Sequence, residues 1–471
     1  MKYKYSLLLL FGFIIFFLVY NPFNLYFLSD DFDSVLKVQQ NNYILHSFRP
    51  LSDISIKTDH LLWGKNASGF HFTNILFHLL STAVLFVFSK QLYRLKFNQS
   101  ETNQYAFFTA IFFLFYPYHS ETLFWIVGRG GSLCTLMALL SLRFYLKKTQ
   151  GFKYYFLSVL FFIAGALSYE SIWILPLVIT ALSLIIPEKK DLKKELKPVV
   201  IFWLIFFFFL LFRFFLTKQI LGSPYGTLAV LSTDNFSKIK NFVVLITRSF
   251  VPPAKSLALF IFYFFVLFSC LLFVIFKLKN KSNAILKISI PCFLICLLPV
   301  ISFGIDSHDT EGERFLYLPS VFVSITFITT LVALFKKQFI FIIGLIILAE
   351  ACLLFYNYRS YEAASKMTAQ TVKAFSSLKN KNTLYCINLP SQFRGAYIFR
   401  NGFESAIKLY TAVKNVNVLS KIEVQNRPFQ SYKISYNPLE KAVKFALIDP
   451  DKIKSDAVVF YWKQDQIEVY K

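Results

Sequence analysis

The sequence predicts an all-α polytopic membrane bundle with a small α/β domain at its C-terminal end. Three observations predict it. The 471-residue chain is 56% hydrophobic, contains 59 phenylalanines and has a mean hydropathy of +0.53. A soluble domain has no interior able to hide that much apolar surface. Apolar runs of the length a bilayer demands, about 20 residues at about 1.5 Å each, recur through residues 1–357. The basic residues sit in short blocks between those runs: Lys147-Lys148, Lys189-Lys190 with Lys193, Lys194 and Lys197, Lys277 with Lys279 and Lys281, and Lys336-Lys337. That is the positive-inside pattern, which sets orientation. It accounts for the net charge of +24 without a polyanionic ligand. No nucleic-acid partner is expected, whereas anionic lipid head groups are attracted.

Lys2 and Lys4 put the N-terminus on the cytoplasmic side. No small-residue cleavage site follows the apolar run at 6–20, so it reads as an uncleaved first span. That span delivers Asp30 and Asp31 to the outer face. A polar loop runs on to Phe70. Span 2, residues 71–88, returns to Lys90, Arg94 and Lys96. Span 3 starts at Tyr105 and exits at 116–121. Span 4 starts at Ser132 and ends at Lys147-Lys148. Span 5 starts at Tyr154 and exits at 168–171. Span 6 returns to Glu188, and span 7, residues 198–216, goes out again. The apolar stretch 242–250 is too short to cross, so it reads as a helix lying on the membrane or a re-entrant piece. Spans 8 to 11 follow at 256–276, 288–303, 315–335 and 339–356. The alternation predicts about eleven spans, with every basic block on one side and the tail outside.

From residue 358 the composition becomes mixed. A helix is expected at 358–378, a strand at 383–388 and a loop with a helix at 395–413. Short alternating runs follow at 416–424, 432–436, 442–448, 457–462 and 466–470. Residues 1–357 therefore read as the transmembrane domain and 358–471 as an α/β domain outside the membrane. Cys134, Cys270, Cys292, Cys296 and Cys352 lie in apolar segments and Cys386 in the tail, with no disulfide or metal spacing.

The stretch Ser29-Asp30-Asp31-Phe32-Asp33 is the anchor of the functional reading. Two adjacent carboxylates at the end of a membrane span repel each other and contribute nothing to insertion. They read either as a site or as a solvated loop with an Asp helix cap. Under the expected topology, other unusual polar residues collect at the same face: His46, Arg49, Asp53, His71, His119, Glu121, Arg129, Glu170, Asp306, His308, Glu311, Glu313 and Arg314. Loops at one end of a bundle are neighbours, and carboxylates beside Arg and His suit acid–base work next to an anionic group. Each residue also has a plainer role. Arg129 and Arg314 serve as interfacial anchors, Glu170 as a first-turn acid, and His71 and His78 beside Asn74 as packed, hydrogen-bonded residues. Arg213 either snorkels outward or pairs within the bundle, and the deeper Glu350 has no partner legible in the sequence.

Four stretches, in order, carry a family resemblance. Arg49-Pro50-Leu51 is followed by Trp63-Gly64 and by Gly69-Phe70-His71 with Asn74 and His78. Next come His119-Ser120-Glu121, Trp125 and Gly128-Arg129, then Ser168-Tyr169-Glu170 with Pro176. The fourth is Glu313-Arg314-Phe315-Leu316-Tyr317-Leu318-Pro319-Ser320. This pattern, over residues 29–320, resembles integral-membrane GT-C glycosyltransferases, above all the transmembrane O-mannosyltransferases that carry tetratricopeptide repeats and their bacterial relatives. Tetratricopeptide repeats are missing after the last span, and Tyr169 stands where the family often has Lys. The resemblance implies a catalytic carboxylate in the first outer loop, hence Asp30 and Asp31. It implies a sugar donor on a polyprenyl phosphate, with Arg129, Arg314 and His119 as candidates for its phosphate. Glu121, Glu170, Arg49, His71, Asn74 and Glu313 are supporting residues. The expected reaction is an inverting transfer to a hydroxyl of a protein, glycan or lipid, with one aspartate as base and no cofactor or metal. The alternative is a transporter or a lipid-linked glycan flippase or ligase. A Lys-, Asn-, Ile- and Phe-rich usage points to a bacterial inner membrane.

Overall fold

The computed structural model describes residues 4–40, 49–187, 191–217, 235–250, 265, 281–301, 312–376, 383–387, 389–411, 415–419, 434–437, 442–445, 457–463 and 466–470. His46, Asp306, His308, Glu311 and the expected crossing at 256–276 lie outside the described residues. The chain forms two compact units, Met1–Phe23 with Asn41–Arg359, and Asn24–Gln40 with Ser360–Lys471.

The first unit is helical. A helix underlies every expected crossing within the described residues. Among the described residues, five are long and apolar enough to cross a membrane: Lys4–Asn24, Ala67–Tyr93, Leu192–Leu216, Ser282–Val300 and Phe339–Phe375. A sixth results if Pro117–Phe124 and Ile126–Tyr145, bent by 111°, count as one span. The chain is an integral membrane protein. Of the other expected crossings, Phe152–Ala166, Glu170–Ile185 and Pro319–Leu334 are shorter apolar helices, Gln99–Leu114 has 16 residues, and 256–276 falls outside the described residues.

Polar side chains tie these helices together. In hydrocarbon a helix surface gains nothing from apolar contact alone, so interhelical hydrogen bonds and close packing hold the bundle. His78 pairs through Nδ1 with the Tyr317 hydroxyl at 2.6 Å and through Nε2 with the Leu114 carbonyl at 3.0 Å. The Tyr93 hydroxyl meets Thr109 Oγ1 at 3.0 Å and Thr329 Oγ1 at 3.3 Å. The bend falls at Trp125, whose extended backbone (φ −119°, ψ 124°) separates the two pieces, and the turn after it ends at Gly128. A Cβ on Gly128 would lie 2.4 Å from the Glu121 carbonyl oxygen, so only glycine lets the two pieces close up. The expected short apolar stretch at 242–250 lies largely in the helix Asn235–Arg248, with Leu245 and Arg248 buried.

The last crossing and the helix expected after it are one element, Phe339–Ser376, 38 residues long. The unit boundary falls inside it, after Arg359.

The second unit contains a four-stranded sheet in the spatial order Asn415–Leu419, Thr383–Ile387, Ala457–Lys463, Gln466–Tyr470. The first three strands are parallel, with Thr383 opposite both Asn415 and Ala457, and the last returns antiparallel with Val459 opposite Tyr470. The short hairpin Gln392–Phe393 with Ala396–Tyr397 leads into the helix Phe403–Tyr410. This unit also takes in the helix Asp31–Gln39.

Candidate active site

The acidic stretch belongs to the second unit. Its helix starts with Asp31, Asp33 in the first turn and Asp30 at the N-cap position. A helix N-terminus favours carboxylates there. The pair is split by environment. Asp31 is fully buried, and its Oδ2 accepts the backbone N–H of Leu28 at 2.9 Å. Asp30 is partly exposed and, within the described residues, gives its helix no side-chain cap. The cap reading of the doublet is therefore not what the structure shows.

In the first unit the four motif stretches are joined by direct contacts. Arg129 is fully buried and engaged all round. Its Nη1 lies 2.6 Å from Asp59 Oδ2, Nε donates to Asn74 Oδ1 at 2.9 Å and Nη2 to the Phe70 carbonyl at 2.9 Å. Asn74 donates onward to the Trp125 carbonyl at 3.0 Å, and Thr73 donates to Asp59 Oδ1 at 2.7 Å. Burial raises the Asp59 carboxyl above its ordinary value despite the pull of Arg129. His71 is fully buried in the same helix.

A second cluster is positively charged. Arg49 Nε donates to Glu170 Oε2 at 2.9 Å and its Nη2 lies 2.9 Å from the same oxygen. Arg213 Nη1 approaches the other oxygen, Glu170 Oε1, at 2.6 Å. Two guanidiniums thus share one carboxylate. Burial works against the Arg49 cation and Glu170 outweighs it, while Arg314 is close enough to oppose it. Tyr169 lies 4.3 Å under the Arg49 guanidinium as a cation–π platform. A Cβ at Gly130 would come 3.0 Å from the Tyr169 ring.

The third cluster joins the 119–121 and 313–320 stretches. Arg314 pairs with Glu121 through its side chain, and its backbone N–H donates to Glu121 Oε2 at 2.9 Å. Glu313 accepts from the Ser120 hydroxyl, which also receives Asn357 Nδ2 at 3.2 Å. His119 is fully buried, with Nε2 2.8 Å from Ser320 Oγ and its ring 4.3 Å from that of Tyr317. Of the expected phosphate ligands, Arg129 and His119 are thus held inside the protein, whereas the Arg314 side chain keeps 18% of its surface; Arg49, expected only as a supporting residue, keeps 29%. Among the described residues, no group of three or more His, Cys, Asp or Glu is placed to hold a metal ion.

One residue of these clusters, Asp59, and the partner of another, Arg213, escaped the sequence reading. Asp59 was missed, although Ser52, Ser55 and Asp59 recur at helical spacing on one face, which is a legible polar stripe. Arg213 pairs within the bundle, but nothing local in its Phe-rich run names Glu170 as the partner.

Comparison with known proteins agrees with the motifs. Over 108 residues the chain is 32% identical to protein O-mannosyl-transferase TMTC2 of Mus musculus and of Homo sapiens. Over 99 residues it is 35% identical to protein O-mannosyl-transferase TMTC1 of Homo sapiens. The chain is similar to protein O-mannosyl-transferases. The TMTC2 match takes in 22% of this chain and 12% of the relatives' length. No family model matches. Among solved structures, the oligosaccharyltransferase of Archaeoglobus fulgidus in complex with zinc and sulfate aligns at a TM-score of 0.46 and 13% identity, over 78% of this chain and 55% of that one.

Proposed function

We propose that the chain is a GT-C type membrane glycosyltransferase. It moves a sugar from a polyprenyl-phosphate donor to a hydroxyl of a protein, glycan or lipid, at the outer face of a bacterial inner membrane. The N-terminus is cytoplasmic and the C-terminal domain extracytoplasmic. The observation that carries the reading is the cluster of Arg49 and Arg213 on the single carboxylate of Glu170, with Arg314 within electrostatic reach of Arg49. Within that trio two guanidiniums face one carboxylate, a local excess of one positive charge that suits a lipid-linked phosphate. The similarity to O-mannosyl-transferases supports it.

In this reading Asp30 is the general base and Asp31 fixes the turn, because Asp30 is the more accessible of the two carboxylates. The acceptor hydroxyl passes its proton to Asp30 while its oxygen bonds to the sugar C1. The C1–O bond to phosphate breaks, and the polyprenyl phosphate leaves with the electron pair, inverting the anomeric centre. Arg49 and Arg314, which keep exposed surface, stabilise the leaving phosphate, and the buried Arg213 holds Glu170 beside them. Arg129, Asn74, His71, His119, Glu121, Glu170 and Glu313 support the frame.

The test is sugar transfer from a polyprenyl-phosphate sugar by the full chain in proteoliposomes. Asp30→Asn should insert normally and lose about 10²–10⁴-fold in rate. Asp31→Asn should lose less. Wild-type rates from both variants would overturn the assignment.

A further inference from the structure

The turn that holds Asp30 and Asp31 is gripped by a segment near the other end of the chain. Ser29 has φ +49°, a left-handed conformation that a residue with a Cβ adopts only at a cost. It is held there by backbone and side chain together. Its N–H donates to the Ile398 carbonyl at 2.8 Å, and its Oγ accepts the Asn401 N–H at 3.2 Å. Gly402, at φ +73°, is pressed against the same turn: a Cβ there would lie 2.1 Å from the Ser29 carbonyl oxygen and 3.4 Å from the Asp30 nitrogen. Ser405 donates to the Asp33 carboxylate, one turn into the helix. Between these polar ties, Phe32 stacks on Phe399 with centroids 6.0 Å apart and planes 19° apart.

The gripping segment is itself braced. Ile398 and Phe399 donate to the Ser391 and Pro390 carbonyls at 2.9 and 3.2 Å, and Phe403 packs edge-on against Phe375 of the long helix. Every contact lies within the second unit. A strained left-handed residue persists only where its surroundings over-determine it, and such strain collects at functional turns.

We propose that the C-terminal unit is a clamp for the catalytic turn, with Gly402, Asn401, Ser405 and Ser29 as positioning residues for Asp30. This inference rests on the reading of Asp30 as the base. It gives the α/β tail a task within the reaction, which is to set where one carboxylate stands. A misplacement of about 1 Å at a catalytic group costs on the order of 100-fold in rate.

The experiment uses the full chain. Gly402→Ala should speed amide hydrogen exchange at residues 29–31 at least tenfold, on the order of the loss of local protection expected when a turn opens. It should lower kcat about 100-fold while the donor KM stays within about twofold, because the phosphate cluster is untouched. Ser405→Ala, a smaller lesion should Gly402→Ala fail to fold, should lower kcat several-fold, with recovery in Ser405→Thr. Unchanged exchange at 29–31 in both variants overturns the clamp. Faster exchange with unchanged kcat overturns the positioning role. If Asp30→Asn keeps full activity while Gly402→Ala still loosens the turn, the fault lies with the base assignment and not with the contacts.

Discussion

Arg129 shows how much a buried charge decides. Its guanidinium is out of contact with solvent, neutralised by Asp59 and bonded to Asn74 and to the Phe70 carbonyl. Breaking a buried pair from one side costs about 3–5 kcal/mol, since the survivor stays charged in a poor solvent. The two sides are not equivalent here. Arg129 cannot shed its proton, whereas Asp59 already sits above its ordinary range and can take one up. Asp59→Asn should therefore destabilise more than Arg129→Met. The Arg129→Met protein should also gain stability as pH falls, because a carboxyl whose folded pKa is raised binds protons better in the folded chain than in the unfolded one. Thermal unfolding in detergent between pH 5 and 8 checks both. Equal losses, or a variant that stabilises as pH rises, would contradict the account. These pairings were half legible. The motif residues could be named from sequence, but their partners could not. Glu170 and Arg213 are 43 positions apart, and neither stretch carries a period that points to the other.

At the scale of elements, the apolar run of Ala67–Tyr93 was readable because composition alone makes it a helix, and its start at Asn66, whose side chain accepts the Ser68 N–H, is a cap signal. The bend between Pro117–Phe124 and Ile126–Tyr145 was not readable as a bend, since the motif it carries looks like a loop between two ordinary spans. Gly128 holds this bend closed. In Gly128→Ala the added methyl meets the Glu121 carbonyl oxygen, and Glu121 is the partner of Arg314. The variant should reach the membrane but bind the donor at least tenfold more weakly, a loss of about 1.4 kcal/mol. Donor titration against the purified protein reads it, and unchanged affinity would detach the bend from the phosphate cluster. The helix Phe339–Ser376 is the converse case. Its polar second half looks like a new element, yet nothing in it breaks a helix.

Across the whole molecule, what was legible is what is local. Apolar runs, caps and strands rich in β-branched and aromatic residues such as Ala457–Lys463 announce themselves. The union of residues 24–40 with 360–471 does not, because Ser29 and Ile398, far apart in the chain, meet through backbone groups common to every sequence. The same holds for the bundle, where Tyr93 reaches Thr329 across 236 positions through a hydroxyl that any tyrosine carries.

The sharing of Glu170 between Arg49 and Arg213 has a consequence for turnover. In the proposed reaction the incoming donor is a phosphodiester with one negative charge. The spent carrier is a monoester approaching two at neutral pH. Two guanidiniums facing one carboxylate grip the second more tightly than the first, so departure of the carrier, and not bond-making, is expected to set the pace. Rapid-quench measurements with a radiolabelled donor should show one fast equivalent of product per protein followed by a slower steady phase, and a time course linear from the outset would speak against it.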